Sequence, residues 1–559
     1  MGVLQIAVVI AMLVLLVKPL GTYLYNVFRN EPNRTDKLFG FAERPIFALI
    51  GLKDRRGMTW QTYGLSFIAT NIVLVAVCYL IIRMQKWLPF NPGGIDNMEP
   101  TLSFNTVISF MTNTNLQHYS GETGLSYFSQ MAVITMMMFT SAATGLCVAI
   151  AFIRAVTSRG QTLGNFFEDF VKAIVRVFLP LAFVVALVLV ALQVPQTLKP
   201  AITVTGLEGQ EQHIAIGPVA ALESIKHLGT NGGGFFGANS SHPFENPNPL
   251  TNVIEILSMW CFGAALPHTY GLFAKNRKQG WVIFSAMMIL FLAFLSLAYV
   301  SESNGSPVMN RLGIDSSQGS MEGKEVRFGI AQSALFTTVT TAATTGSVNN
   351  MHDTLTPLGS ITPLALMMLN NVFGGKGVGL VNMLMYAMLA VFLAGLMVGR
   401  TPEFLGRKLE AREMKLIAVA ILVHPLIILA PTALALITNA GTAAITNTGF
   451  HGISQVLYEY TSSAANNGSG FEGLGDNTPF WNLSTGLVML FGRYISMIAM
   501  LAVGGSLLRK MWVPETIGTF RTDNGLFVGI LVGVVLIIGA LTFLPAIVLG
   551  PIAEHLTIR

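Results

Sequence analysis

From its first residues to its last, the chain keeps returning to apolar runs long enough to cross a bilayer, about ten of them at roughly 20 residues per span. That recurrence leaves little choice of fold. An unpaired peptide group in hydrocarbon costs several kcal/mol, so each run must close its own hydrogen bonds as a helix. The expectation is an all-α polytopic membrane protein. Of 559 residues, 52% are hydrophobic and 11% charged, and no soluble domain of any size fits between the runs. The first run, Val3 to Tyr25, has no basic residue before it, contains Lys18 and precedes no small-x-small cleavage site. It therefore reads as a retained transmembrane helix, not a signal peptide.

The formal charge of +5 is no nucleic-acid signal, because the basic residues are confined to alternate loops. Arg29, Arg34, Lys37, Arg44, Lys53, Arg55 and Arg56 follow the first run; Arg154 and Arg159, then Lys275, Arg277 and Lys278, mark the next two loops. Arg400, Arg407, Lys408, Arg412 and Lys415 mark another, and Arg509, Lys510 and Arg521 the last. These loops are expected on the cytoplasmic side, and an even number of spans places both termini outside.

Four of the outward connections are related. They are TNTNLQHYSGE (Thr112 to Glu122), GTNGGGFFGANSSHPFENP (Gly229 to Pro247), TTAATTGSVNNMHD (Thr340 to Asp353) and SSAANNGSGFEG (Ser462 to Gly473). Each follows a segment too short to span: Leu102 to Met111, Val219 to Leu228, Ala331 to Ala343 and Ile453 to Ala465. Each precedes a full span. The unit is helix, re-entrant pore helix, polar loop, helix, repeated four times around a central pore, with the first and last runs as additions. The boundaries expected are 1–60 for the first transmembrane helix and cytoplasmic loop, then 61–160, 161–278, 279–412 and 413–515 for the pore repeats, and 516–559 for the last helix.

Non-helical backbone at membrane depth must be buried in protein or line a water-filled cavity. Short helices entering from outside aim their negative C-terminal ends at the membrane centre. Loops rich in Thr, Asn and Gly then offer carbonyl, amide and hydroxyl oxygens to a cation stripped of water. One such loop alone reads as a flexible turn; four at matching positions argue for an ion site. On this reading Gly232 to Gly234 let peptide carbonyls approach an ion that side chains would obstruct.

The acids after the loops, Glu122, Glu245, Asp353 and Glu472, form either an outer vestibule that concentrates cations or local caps and pairs. Two intramembrane cations stand out. Arg493 lies well inside the span after the fourth loop, and Lys376 lies in FGGKGVG, Phe373 to Gly379, which interrupts an apolar run. A glycine-rich break below a filter suits a gating loop, and a positive charge there suits a barrier or tethered ion substitute. The structural alternatives are a pair with an acid for Arg493 and a side chain reaching the interface for Lys376.

His118, His242, His352 and His451 form no close ligand pair and read as solvated loop residues. Cys78, Cys147 and Cys261 are well separated within apolar segments and read as packing residues. No motor is apparent: in GGKGVG the lysine precedes Gly377 where a phosphate-binding loop needs Ser or Thr, and Asp36-Lys37-Leu38-Phe39 only superficially matches a phosphorylation motif. The chain is expected to bind no nucleotide. It is a channel, a gradient-driven transporter, or the ion-binding part of a pump whose motor lies elsewhere.

Long strings carry a resemblance: GTNGGGFFGANSSHPFENP, TNTNLQHYSGETGLSYFSQM, MEGKEVRFG (Met321 to Gly329), GRTPEFLGRK (Gly399 to Lys408) and SSAANNGSGFEGL. Over essentially its whole length the chain resembles the potassium-binding A subunit (KdpA) of the Kdp-type potassium-transporting ATPase. The resemblance implies the fold of the four-repeat potassium-transporter superfamily and potassium as the transported substrate. It implies a bacterial inner-membrane complex with a P-type ATPase B subunit, a C subunit and a small F subunit, and a tunnel toward the ATPase subunit. The filter residues it implies are Thr112, Asn113, Thr114 and Asn115; Thr230, Asn231 and Gly232; Thr344, Thr345 and Gly346; and Asn466, Asn467 and Gly468. The gating segment would hold Gly374, Gly375, Lys376 and Gly377, with Arg493 beneath the filter. Thr344-Thr345-Gly346 departs from the Ser-Cys-Gly of a relative, and Lys376 from an apolar residue. The remaining alternative is a stand-alone potassium channel or gradient-driven potassium transporter of the same superfamily.

Overall fold

The computed structural model describes every residue except Met1, Asn30, Asn33, Lys53, Asp54, Arg159, Gln161, Ser316, 515–518 and Arg559; of Arg34, Pro307, Asn310 and Lys376 it describes the backbone alone. Lys53 and Arg159 of the expected cytoplasmic loops, and the side chain of Lys376, thus lie outside the described residues.

Among the described residues ten helices are long and apolar enough to cross a membrane: Gly2–Phe28, Trp60–Arg83, Tyr127–Thr157, Phe166–Ala191, Pro249–Phe273, Arg277–Ser303, Val378–Met397, Ala411–Ile437, Pro479–Leu508 and Gly525–Ile558. The protein is a multi-pass membrane protein. Four short helices lie among them, Pro100–Met111, Val219–Leu228, Gly329–Ala342 and Phe450–Ala465, close to the expected bounds. The longest has 16 residues, about 24 Å at 1.5 Å per residue, less than the roughly 30 Å of a hydrocarbon core.

The spans that follow the second, third and fourth loops share a start signal. Asn248, Thr356 and Thr478 each accept backbone N–H groups as N-caps, and each is followed by proline at the first helical position. The cap satisfies donors that have no intrahelical partner, and proline loses nothing where its missing N–H would be orphaned.

The repeats close into a ring. Tyr127–Thr157 of the first repeat touches the second pore helix, Pro249–Phe273 the third, Pro357–Leu369 the fourth, and Pro479–Leu508 returns to the first. Gly2–Phe28 packs outside on Pro249–Phe273, where Gly21 approaches so closely that a Cβ would stand 2.8 Å from the Ala265 carbonyl oxygen. Small residues at such crossings let membrane helices approach to backbone contact. Arg154, expected in a loop, is instead buried and grips Asp169 bidentately at 2.7 and 3.0 Å while donating to the Phe28 carbonyl. Two small hairpins, Ile202–Thr205 with Glu211–Ile214 and Glu403–Phe404 with Arg407–Lys408, interrupt the otherwise helical chain.

Candidate ion site at the pore-loop junction

Each pore helix runs directly into a triplet with the same backbone. The first and third residues have positive φ: Asn113 and Asn115 at 62° each, Thr230 at 39° and Gly232 at 92°, Thr344 at 47° and Gly346 at 93°, Asn466 at 54° and Gly468 at 106°. The middle residue's amide turns back to the carbonyl five residues earlier in its own pore helix. These bonds are Thr114 to Ser109 at 2.9 Å, Asn231 to Lys226 at 2.8 Å, Thr345 to Thr340 at 2.8 Å and Asn467 to Ser462 at 3.0 Å. Four equivalent tethers use up the amides on the helix side and leave the carbonyls of the triplets to face elsewhere. Left-handed backbone is costly for a β-branched residue, by about 1–2 kcal/mol, and Thr230 and Thr344 accept it. Such strain held by surrounding structure is characteristic of functional backbone. The first repeat is thereby aligned on Asn113–Asn115, with Thr112 as the helix C-cap; the other three triplets coincide with the expected ones.

The loops interlock in one rotational sense. A Cβ on Gly232 would lie 2.0 Å from the carbonyl oxygen of Thr345, one on Gly346 2.2 Å from that of Asn467, and one on Gly468 1.9 Å from that of Thr114. Thus the third residue of each of these repeats lies against the middle carbonyl of the next. Asn115 takes the glycine's place in the first repeat.

Side chains brace this ring. Asn113 Nδ2 donates to the Thr230 carbonyl at 2.7 Å, and Asn467 Nδ2 to that of Thr340 at 2.9 Å. Asn466 Nδ2 reaches Thr114 Oγ1 at 3.0 Å, which in turn lies 2.8 Å from Thr112 Oγ1. The Asn231 side chain lies within hydrogen-bonding distance of Asn113 and Ser141. The hydroxyls of Thr230 and Thr345 are buried without a partner.

Beneath the ring the third repeat's second span breaks. Pro357–Leu369 ends at Asn370, whose φ is 47° and whose carbonyl accepts from Asn382 Nδ2 at 2.7 Å. The segment then passes under the loops. The Gly375 amide donates to Thr344 Oγ1 at 2.9 Å, and a Cβ there would stand 2.1 Å from Thr230 Oγ1 and 2.7 Å from the Ala343 carbonyl oxygen. Gly377, at φ 98°, presses on Ala149 of the first repeat, 2.1 Å from where its Cβ would be. A Cβ on Gly379 would stand 2.0 Å from the Gly374 nitrogen. Phe373 anchors one end of the break among Trp260, Phe284 and Phe291. Below lies a cavity of about 50 Å³ lined by Asn370, Asn382, Asn466, His424, Tyr386 and Arg493, enough for a few waters. Arg493 is 6% exposed and reaches the Ser141 carbonyl at 3.4 Å. Among the described residues no carboxylate pairs with it.

The model of the family described as the potassium-transporting ATPase A subunit, KdpA, matches residues 7–556. The chain belongs to that family. A relative from Geobacillus kaustophilus (strain HTA426), a potassium-transporting ATPase potassium-binding subunit, is 64% identical over 555 residues, covering 99% of each chain. Among solved structures, the potassium transporter TrkH from Vibrio parahaemolyticus superposes with a TM-score of 0.50 over 77% of this chain and 83% of its own, at 15% identity. That likeness concerns the fold. As a KdpA family member, the chain is the non-catalytic subunit of a multi-subunit potassium-transporting ATPase.

The four acids of this KdpA chain are used as ties. Glu122 accepts from the Gly237 amide at 2.8 Å, joining the first and second repeats. Glu472 accepts from the amides of His352 and Asp353 at 2.9 and 3.1 Å, and Asp353 pairs with His451 at 2.9 Å, joining the third and fourth. Glu245 is fully buried against Lys226 at 2.6 Å, so it does not line an open vestibule. The histidines also differ from expectation. His118 and His352 are buried, the latter 2.7 Å from Tyr458 Oη, and His242 stacks on Phe236 with centroids 3.8 Å apart. These rings pack the loops against their neighbours.

Sequence reasoning missed a charged cluster behind the second loop. Lys226 Nζ contacts both oxygens of Glu223 at 3.1 Å, Ser240 at 3.0 Å and Glu245 at 2.6 Å. His227 Nε2 reaches Ser347 of the third repeat at 2.9 Å and Glu255 at 3.5 Å. The signal was present in ESIKH, Glu223 to His227, three ionisable groups on a helix too short to face water.

Proposed function

We propose that this chain is the ion-selecting subunit of an ATP-driven, high-affinity potassium uptake complex in the bacterial inner membrane. Potassium enters from the outer, periplasmic side, is held in the four triplets, passes the Gly374 to Gly377 segment, and travels through an intramembrane tunnel to a P-type ATPase B subunit that hydrolyses ATP. A C subunit and a small F subunit complete the complex, both termini of this chain face outward, and the pore repeats occupy 61–160, 161–278, 279–412 and 413–515. The observation that carries this reading is the fourfold equivalence of the loops: four identical amide tethers and an interlocked ring in which a neighbour's carbonyl occupies each place a glycine leaves empty. Carbonyl oxygens held this way replace a hydration shell without large rearrangement. The unpaired charge of Arg493 below the ring opposes free passage of a cation toward the cytoplasm, as a pump requires and a channel does not.

The test is ATP hydrolysis by the complex that co-purifies with this chain, measured against potassium and sodium for wild type and Gly232→Asp. Stimulation by low potassium but not sodium, with the assembled variant needing far more potassium, supports the reading. A chain that purifies alone and passes potassium in liposomes without ATP overturns it in favour of a channel or gradient-driven transporter.

A further inference from the structure

A second constellation lies at the outer junction of the first and fourth repeats. His118 follows the first triplet, Glu459 lies on the fourth pore helix, and Asp476 lies in the connection to the last span of that repeat. His118 Nε2 stands 3.2 Å from Glu459 Oε1 and 3.7 Å from Asp476 Oδ2, and the three ligand atoms all lie within 4.8 Å of one another. Tetrahedral zinc with ligand bonds near 2.1 Å places its ligand atoms roughly 3.4 Å apart, between those two separations.

The other ring nitrogen supplies an independent argument. His118 Nδ1 lies 2.7 Å from Asn482 Oδ1, and that oxygen is aimed at the ring because the same amide's nitrogen donates to Thr101 Oγ1 at 3.2 Å and Asn477 Oδ1 at 3.4 Å. The Nδ1 proton is therefore engaged, as in metal-bound imidazoles whose second nitrogen donates to a fixed acceptor. Nε2 then faces two carboxylates. The place between the three groups therefore suits a cation, either a proton on Nε2 or a metal ion that replaces it. The His118 and Glu459 side chains are 0% and 1% exposed while that of Asp476 is 23% exposed, so Asp476 forms the mouth.

We propose that His118, Glu459 and Asp476 form a site for a divalent transition-metal ion of the zinc type, entered from outside past Asp476, with water as its fourth ligand. Two carboxylates and a neutral imidazole carry two negative charges, which such an ion neutralises. The only other cluster of this kind among the described residues, Glu223 with His227 and Glu255, already holds a cation of its own in the Lys226 ammonium. Bound metal would clamp the first loop to the fourth pore helix, beside the contact between Gly468 and Thr114.

The test uses the intact, chelator-stripped complex titrated with Co2+, read by its visible d–d absorption, followed by displacement with Zn2+. This chain's three cysteines are buried, so its site should give no thiolate-to-cobalt band. One Co2+ equivalent with a low-symmetry spectrum, displaced by Zn2+, is expected for wild type, with at least tenfold weaker binding in Asp476→Asn and His118→Gln. Asp476→Asn keeps the size and hydrogen bonding of a partly exposed side chain, so it separates metal loss from misfolding. Its potassium-stimulated hydrolysis should persist. A wild-type complex that binds no Co2+, or an assembled Asp476→Asn complex that titrates like wild type, overturns the assignment.

Discussion

Gly232→Ala isolates the ring of carbonyls. The new methyl would sit 2.0 Å from the Thr345 carbonyl oxygen and 2.7 Å from both Cα and carbonyl carbon of Gly346, backbone atoms that no side-chain rotation can move aside. An ordinary carbon-to-oxygen contact needs about 3.4 Å, so the Thr345 carbonyl must retreat by more than an ångström. The backbone adds about 1–2 kcal/mol, because φ at this position is 92°. That strain is present with or without the ion and does not enter its affinity; only the difference between the two states does. The differential term is the weakened carbonyl ligand, a charge-assisted contact worth about 1.5–3 kcal/mol. At 1.4 kcal/mol per tenfold, half-maximal potassium should rise by about 10- to 150-fold, with maximal hydrolysis retained. Gly233→Ala is the control: its methyl meets the Phe110 ring at 2.6 Å and Asn115 Cβ at 3.2 Å, side-chain atoms that can yield. Potassium-stimulated ATPase titrations of the purified complex read both. If Gly232→Ala titrates like wild type, or shifts no further than Gly233→Ala, the middle carbonyls are not the ligands.

Three further outcomes are expected. Gly377→Ala should hold the gating segment off Ala149 and raise ATP-independent rubidium leak in liposomes, and Ala149→Gly in the same chain should reverse most of that leak. In the metal-free complex, burial pulls the His118 pKa down, but the Asp476 and Glu459 carboxylates and hydrogen bonds outweigh it and push it to about 9. That stability, about 3 kcal/mol, is full below the unfolded value near 6.5 and is lost as pH rises through 9, so thermal midpoints should fall across pH 7–10 more for wild type than for His118→Gln. Lys324→Met should destabilise by about 3–5 kcal/mol by leaving Glu302 buried without its partner at 2.7 Å, and Glu302→Gln should recover part of the lost thermal midpoint.

The spans and pore helices were legible because apolar run length and the short segment before each polar loop are one-dimensional signals. The Gly232, Gly346 and Gly468 positions were legible for a related reason: the close approach they permit leaves no alternative residue. The first triplet was less so, because Asn115 tolerates positive φ and hides the register that glycine marks elsewhere. Burial of Glu245, His118 and His352 was not legible at all. A loop rich in Asn, Ser and acids looks solvated until its partners arrive, Lys226 from the pore helix of the same repeat and Glu459 and Tyr458 from the fourth repeat. The hairpins failed for want of length, their strands being four and two residues.

The departure from fourfold symmetry has its own consequence. Three repeats place a glycine against the next repeat's carbonyl, while the first places Asn115 there and adds Asn113, whose amide binds the Thr230 carbonyl. A carbonyl already accepting a hydrogen bond has less of its dipole to give a cation. The second repeat's side of the ring is therefore the weaker electrostatic wall at the level of Thr230. The same region is backed by the Lys226 cluster and undercut by Gly375 against the Thr230 hydroxyl. If the ring holds an ion as proposed, its ligand field is thinnest on the second repeat's side, above the Gly375 contact.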